Sequence, residues 1–321
     1  MRNHQSLEKL FAAARQEQRC AIPLSDADIK AVSRRVQTGD IVRVDRGLYV
    51  ETEYWKKLSG HDKTRHVVRA LAKKHPTWVF CGPTAAIMHG LDCSYRLLLP
   101  ICIVAKPGAH YRNTKRLSHY PMAHPDTVAV NGVQVTDVLR TLFDCAAKLS
   151  LRDALAPLDC ALRTGLVEQN VLNAYPESVK YTRNRSGVRR AFDLADGRSE
   201  NGGESEARAV FDMVGRPVQD VQAVFPCLDV ANRTHRVDFL WIRDDGTKVA
   251  GEFDGTRKYV DPNMTGRKTI REVVDEERQR QQCLARQGVD TIRFYYNELN
   301  NPSALIRKLD GARIPVRGGA G

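Results

Sequence analysis

Residues 251–259 read GEFDGTRKY, two acids flanking one phenylalanine with a lysine four positions beyond the second acid. Strand alternation puts Glu252 and Asp254 on one face and Val249, Gly251 and Phe253 on the other. Two carboxylates side by side repel unless a cation, a basic side chain or water relieves them. A divalent metal meets that demand if the rest of the chain supplies further ligands.

The elements that must supply them come in order along the chain. The stretch ESEARAVFDMVG has a helical stripe of Ala207, Val210, Phe211 and Val214, with Glu204 in its first turn. VQAVFP is a short strand carrying Gln222. HRVDFLWI alternates, so Val237, Phe239 and Trp241 are expected on one face and Asp238 on the other. RDDGTK closes a hairpin onto KVAGEFDG. The helix IREVVDEERQRQQCLARQG and the strand VDTIRFYY complete an αβββαβ series. Hairpin pairing brings Asp238 level with Glu252 and Asp254, and Glu204 can lie behind them. Carboxylates on neighbouring strands suit Mg2+ or Mn2+, a hard cation that keeps several waters. Such an ion activates water and stabilises charge on a scissile phosphate. Lys258 can orient that water or neutralise the phosphate, and Gln222 can hydrogen-bond the attacking group. The same acids can instead form a fold-stabilising charge network.

Lys plus Arg outnumber Asp plus Glu by 50 to 38, a net charge of +12, which points to a polyanionic partner with DNA first. At 321 residues, 42% of them apolar, the chain has room for two or three domains with real cores. Its eight cysteines include no C-x-x-C pair and no histidine at metal-finger spacing, so buried free thiols are expected. No leader-like segment or run of eighteen apolar residues occurs, and the expectation is a cytoplasmic protein without a membrane partner.

Residues 1–55 have the order helix, helix, two-stranded hairpin, that of a winged helix-turn-helix. In LSDADIKAVSRRVQTGDIVRVDRGLYV, Ser25 or Asp26 caps a helix with Ile29, Val32 and Val36 inward. Lys30, Ser33, Arg34 and Gln37 then point outward, and Arg43 and Arg46 lie on the wing, types suited to phosphates and base edges. Residues 60–176 form an α/β domain with a strand at TWVFCG, Pro83 in the first turn of a helix, Thr136 as an N-cap and an Arg140–Asp144 ion pair. A basic connector occupies 177–202, the αβββαβ domain 203–312 and a disordered tail 313–321.

Taken together, GGESEAR, VQ, RVDFLW, GEFDGTRKY and EERQRQQCLARQGVDTIRF resemble the very-short-patch-repair-like endonuclease domains of the PD-(D/E)XK superfamily. The resemblance implies a restriction-endonuclease-like fold with Glu204, Asp238 and Glu252 as the acidic, metal-holding core. It implies Asp254 as part of an E-x-D-G signature, Lys258 where such domains carry His or Lys, Gln222 as the motif glutamine, and Glu277 and Arg280 as a polar pair on the next helix. The wider superfamily usually has lysine where Asp254 stands, so either Lys258 replaces it or the domain binds DNA without cutting. IKAVSRRVQTGDIVRVDRGLYV, CGPTAAIMHGL and VQVTDVLRTLFDCAAKLSLRDALAPLDCALRTGLV resemble AbiEi-like type IV antitoxins, which implies promoter binding, autoregulation and a cognate toxin as partner. The expected fold class is therefore multidomain α/β. The expected function is Mg2+- or Mn2+-dependent DNA cleavage in defence or mobile-element biology. The alternative is a transcriptional regulator with a non-cutting nuclease-like domain.

Overall fold

Apolar residues at helical spacing fix the first elements. In helices α1 (Gln5–Gln16) and α2 (Asp26–Gln37), Leu7, Phe11 and Ala14 pack against Ala31 and Val32 and onto Ile41 of strand β1 (Ile41–Asp45). Strand β2 (Leu48–Glu51) pairs antiparallel with β1. The Ser25 hydroxyl caps α2 by accepting from the Asp28 amide at 3.1 Å. Ile29, expected inward, is 42% exposed. The buried stripe is centred on Ala31 and Val32, and a turn of about 100° per residue carries Ile29 off it.

The computed structural model describes residues 5–179, 184–254 and 270–317, with the backbone alone for 270–274. Among them the protein is mixed α/β, with twelve α-helices and four small sheets. The chain divides into two compact units, residues 1–145 and 146–321. The first continues through α3 (Thr52–Lys57), α4 (Gly60–Lys74) and α5 (Gly82–Met88), which has Pro83 in its first turn as expected. Strands β3 (Ile101–Ala105) and β4 (Leu117–Pro121) are parallel, and β5 (Thr127–Val130) and β6 (Val133–Thr136) antiparallel. TWVFCG contributes not a strand but one bridging residue, the fully buried Phe80, which touches both Ile103 and Val135. Helix α6 (Val138–Lys148) is capped by Asp137, whose Oδ1 accepts from the Arg140 amide at 2.7 Å. Thr136 instead ends β6, and its hydroxyl bonds that of Thr141. The Arg140–Asp144 pair forms at 3.1 Å.

The second unit holds α7 (Leu151–Arg163), α8 (Gln169–Ser178), α9 (Arg185–Leu194) and α10 (Gly202–Met213). Helix α9, within the stretch read as a connector, buries Val188, Ala191 and Phe192. Its arginines meet acids of the same unit: Arg185 and Arg189 pair with Glu177, and Arg190 with Asp212. A four-stranded sheet comes next, built from β7 (Asp220–Pro226), β8 (Thr234–Ile242), β9 (Lys248–Asp254) and β10 (Val289–Tyr295) in the order β10-β9-β8-β7. Its hairpin strands are antiparallel, and β10 runs parallel to β9 after α11 (Ile270–Ala285). Helix α12 (Pro302–Gly311) closes the unit, and Ile314 beyond it is buried with Leu305 and Leu309.

The two faces of this sheet bury different clusters. Val221, Phe239, Trp241, Val249 and Phe253 pack with Ala207 and Phe211 of α10. Ala223, Phe225, Val237, Leu240 and Ala250 pack with Leu284 of α11. Val237 is thus not on the face of Phe239 and Trp241, a departure from simple alternation. The cause lies next door in β7, where Gln222 takes φ 54° and drops out of the ladder between the pairs Val221–Phe239 and Ala223–Val237. A left-handed residue inside a strand acts like a bulge, rotating the residues beyond it. Both strands switch faces at that level, and Gln222 and Asp238 are the polar residues at the switch.

Gly251 is there because of packing. A Cβ at this position would sit 2.6 Å from Cζ3 of Trp241 and 3.2 Å from Cβ of Phe239. Trp241 is fully buried and packs edge-on to Phe211, so it has nowhere to move. Gly251→Ala is therefore expected to destabilise the protein by about 1–3 kcal/mol, the usual cost of overpacking. Denaturant unfolding measures this directly, and an unchanged midpoint would show that the Trp241 ring can shift after all.

Candidate active site

Glu204 enters the site from the first turn of α10, where the Asn201 side chain caps the helix by accepting from the amides of Gly203 and Glu204. The Glu204 carboxylate is 4% exposed and accepts three hydrogen bonds, from the Glu200 amide at 2.8 Å, Asn201 Nδ2 at 2.5 Å and Gln222 Nε2 at 3.0 Å. Gln222 spends its left-handed backbone on this contact. Its Oε1 is buried with no hydrogen-bond partner among the described residues. An orphaned acceptor beside a carboxylate is unfavourable unless a cation or donor comes to it.

Asp238 stands between the other acids. The neighbouring pair Phe239–Gly251 sets the register that brings it beside Glu252, and its Oδ2 accepts from the Phe253 amide at 2.7 Å. Burial, and then the Asp238 charge, push the Glu204 carboxyl up to about 7. Burial likewise pushes Glu252 up to about 7, against the pull of Arg280 and with Asp238 adding to the rise. Asp238 therefore acts electrostatically on both glutamates, as expected where carboxylates share one site.

Two arginines complete the site, Arg280, which the family resemblance implies, and Arg293, which it does not. Arg280 of α11 pairs with Glu252, and Arg293 of β10 pairs with Asp254 at 3.0 Å and with Glu277. Glu252 and Asp254 do share a face, but each has its own guanidinium. Arg293 is missed by motif reasoning because only the parallel β9–β10 register sets it opposite Glu252. Lys258 lies outside the described residues.

Raised carboxyl values give a stability window. Folded protein holds protons on Glu204 and Glu252 that the unfolded chain releases near 4.5, so this contribution is fully present below about 4.5 and is lost as pH rises through about 7. The loss for Glu204 is on the order of 3 kcal/mol. In a chelator, the thermal midpoint is expected to fall between those pH values, and Glu204→Gln should flatten the slope. A midpoint that rises across the window contradicts the assignment.

Cys227, His235 and Cys283 form a second group, which sequence spacing does not reveal. Among the described residues this is the set of Cys, His, Asp or Glu whose ligand atoms all converge within 4.8 Å; the carboxylates do not gather as tightly. The eight cysteines are free thiols, seven of them buried and Cys227 half-buried.

In the first unit, Lys30, Ser33, Arg34 and Gln37 on α2 and Arg43 and Arg46 on the β1–β2 hairpin are all at least partly exposed. The Ser33 hydroxyl turns back to the Ile29 carbonyl at 2.8 Å. Among the described residues no helix is long and apolar enough to cross a membrane.

No family model matches the chain. Two curated relatives, from two strains of Mycobacterium tuberculosis, are each 29% identical over 234 residues, which cover 71% of this chain and 79% of the relative. Both are described as uncharacterized proteins.

Proposed function

We propose that the protein is a metal-dependent DNA endonuclease whose first 55 residues are a winged helix that brings it to DNA. The observation carrying this reading is the gathering of Glu204, Gln222, Asp238 and Glu252 at the face switch of β7 and β8. Two of these carboxyls have strongly raised proton affinity, and Gln222 offers an unpartnered buried oxygen. A site that favours extra positive charge and offers only oxygen donors fits Mg2+ or Mn2+. Glu204, Asp238 and Glu252 would hold the ion. When bound, it supplies a Lewis acid for phosphate charge and lowers the pKa of a bound water. Glu204 is kept in place by three hydrogen bonds, and Asp238 by the Phe253 amide, so neither needs to reorganise during reaction. The strained backbone of Gln222 belongs to the same pattern, since such outliers concentrate at functional sites. Lys30, Arg34, Arg43 and Arg46 are exposed and would follow a phosphate backbone, and exposed Gln37 would reach base edges, as would Ser33 once its hydroxyl leaves the Ile29 carbonyl.

The test is incubation of the purified full chain with supercoiled, linear and single-stranded DNA in Mg2+ or Mn2+, beside a chelator control and Glu252→Gln. Cutting that requires metal and is lost in the variant supports the reading; cutting that survives Glu252→Gln belongs to a contaminant.

A second reading has its own observation. Arg280 on Glu252 and Arg293 on Asp254 already neutralise part of the acidic cluster, as a structural charge network would. On that reading the protein is an antitoxin-type transcriptional regulator with a toxin protein as partner, and the second unit holds DNA without cutting it. Footprinting on DNA upstream of its own gene separates the two: protection without cleavage favours the regulator.

A further inference from the structure

The Cys227, His235 and Cys283 group is built by three elements that meet at one end of the sheet. Cys227 comes directly after the last residue of β7, His235 lies in β8, and Cys283 is in the last turn of α11. Their ligand atoms converge within 4.8 Å. A tetrahedral site with metal–sulfur bonds of about 2.3 Å and metal–nitrogen bonds of about 2.0 Å spaces its ligand atoms roughly 3.5 Å apart, so small side-chain adjustments suffice.

Two independent features point to a ligand. His235 is 5% exposed, and its Nε2 is buried without a hydrogen-bond partner among the described residues. Leaving such a nitrogen unsatisfied is costly, and a metal is the partner that an imidazole beside two thiols most readily takes. The sulfurs, in turn, are surrounded by donors. The Leu228 amide points at Cys283 Sγ at 3.2 Å and Gln287 Nε2 lies 3.7 Å from it, while the backbone amides of Asp229 and Val230 serve Cys227. N–H donors around a sulfur are typical of the groups that support metal-bound cysteine.

We propose that Cys227, His235 and Cys283 bind one zinc ion that clips α11 to the β7–β8 hairpin. The donor set, two thiolates and an imidazole, selects zinc over Mg2+ and leaves a fourth position for water or another donor. The clip lies about one helical turn beyond Arg280, which pairs with Glu252. Zinc at this position therefore sets where α11 presents Arg280 to the acidic site. The assignment does not depend on whether that acidic site cuts DNA.

The test uses the full chain, reduced with a phosphine and stripped of metal. One equivalent of Co2+ should produce a thiolate-to-cobalt charge-transfer band and the visible bands of tetrahedral coordination, and Zn2+ should bleach both. Cys227→Ser and Cys283→Ser should each lose the charge-transfer intensity of one thiolate, and zinc should raise the thermal midpoint of the unsubstituted protein only. In case a variant fails to fold, alkylation of the unsubstituted protein gives a separate readout: zinc should slow modification of half-buried Cys227 at least about tenfold. Absence of the cobalt bands, an unchanged spectrum in Cys227→Ser, or alkylation of Cys227 indifferent to zinc would each overturn the proposal.

Discussion

On the proposed nuclease function, Asp238→Asn is expected to lower metal-dependent DNA cleavage by about 10²–10³-fold, the usual cost of removing one electrostatic group from a reacting centre, while raising the thermal midpoint of metal-free protein near pH 8. The two effects have one cause. Asparagine is nearly isosteric and keeps an oxygen for the Phe253 amide, which Asp238 Oδ2 meets at 2.7 Å. What it removes is the charge that raises both Glu204 and Glu252. Without it the two glutamates ionise more easily, the free protein repels itself less, and the proposed ion would lose a ligand. A structural role for Asp238 predicts the opposite sign of stability change, so one unfolding curve beside one cleavage assay separates the readings. Full activity in the variant would remove Asp238 from the mechanism. An inactive and destabilised variant would assign it to the fold.

Asp159→Ala is expected to cost about 3–5 kcal/mol, roughly 10 °C in the thermal midpoint, because it strands a buried guanidinium. Asp159 on α7 is fully buried and accepts from Arg208 of α10 at 2.6 Å and from the Asp196 amide at 2.8 Å. Arg208 is 4% exposed on its side chain, so water cannot replace the lost partner. Burial raises the Asp159 carboxyl and Arg208 opposes that rise, as for a pair whose desolvation nearly cancels its attraction. The double variant Asp159→Leu, Arg208→Met should therefore recover most of the loss. A loss under about 1 kcal/mol for Asp159→Ala would mean that Arg208 finds another acceptor, with the Leu194 carbonyl, already its partner, the first to check. The pair matters for the site because α10 also carries Glu204. Glu206 on the same helix meets Arg152 at 3.2 Å and the Tyr296 hydroxyl at 3.1 Å, so two polar contacts lock the helix that places the catalytic candidate.

The αβββαβ order and the site acids were legible because each depends on local pattern. Periodicity marks α10, β8, β9, α11 and β10, and the hairpin turn between β8 and β9 fixes their pairing, so Asp238 beside Glu252 follows from counting. The helix, helix, hairpin order at the N-terminus was legible for the same reason, as was the outward placement of its six polar side chains. Local pattern failed where a neighbour overruled it. Thr136 and Asp137 are both good caps, and only strand β6 running through Thr136 leaves the role to Asp137.

Strand and helix periods act over a few residues, so local pattern settles which residues alternate, which turn, and which acids can share a strand pair. Tertiary structure alone decided three other things. It broke alternation at Gln222, where a left-handed residue reverses the sheet faces and leaves an oxygen unpartnered among the described residues. It gave Glu252 and Asp254 their own arginines from α11 and β10. It drew Cys227, His235 and Cys283 together from elements with no metal-finger spacing between them. The physical reason is common to all three: charge, desolvation and metal-ligand geometry act across a few ångströms of space, and the chain reaches those distances only after its helices have packed on the sheet.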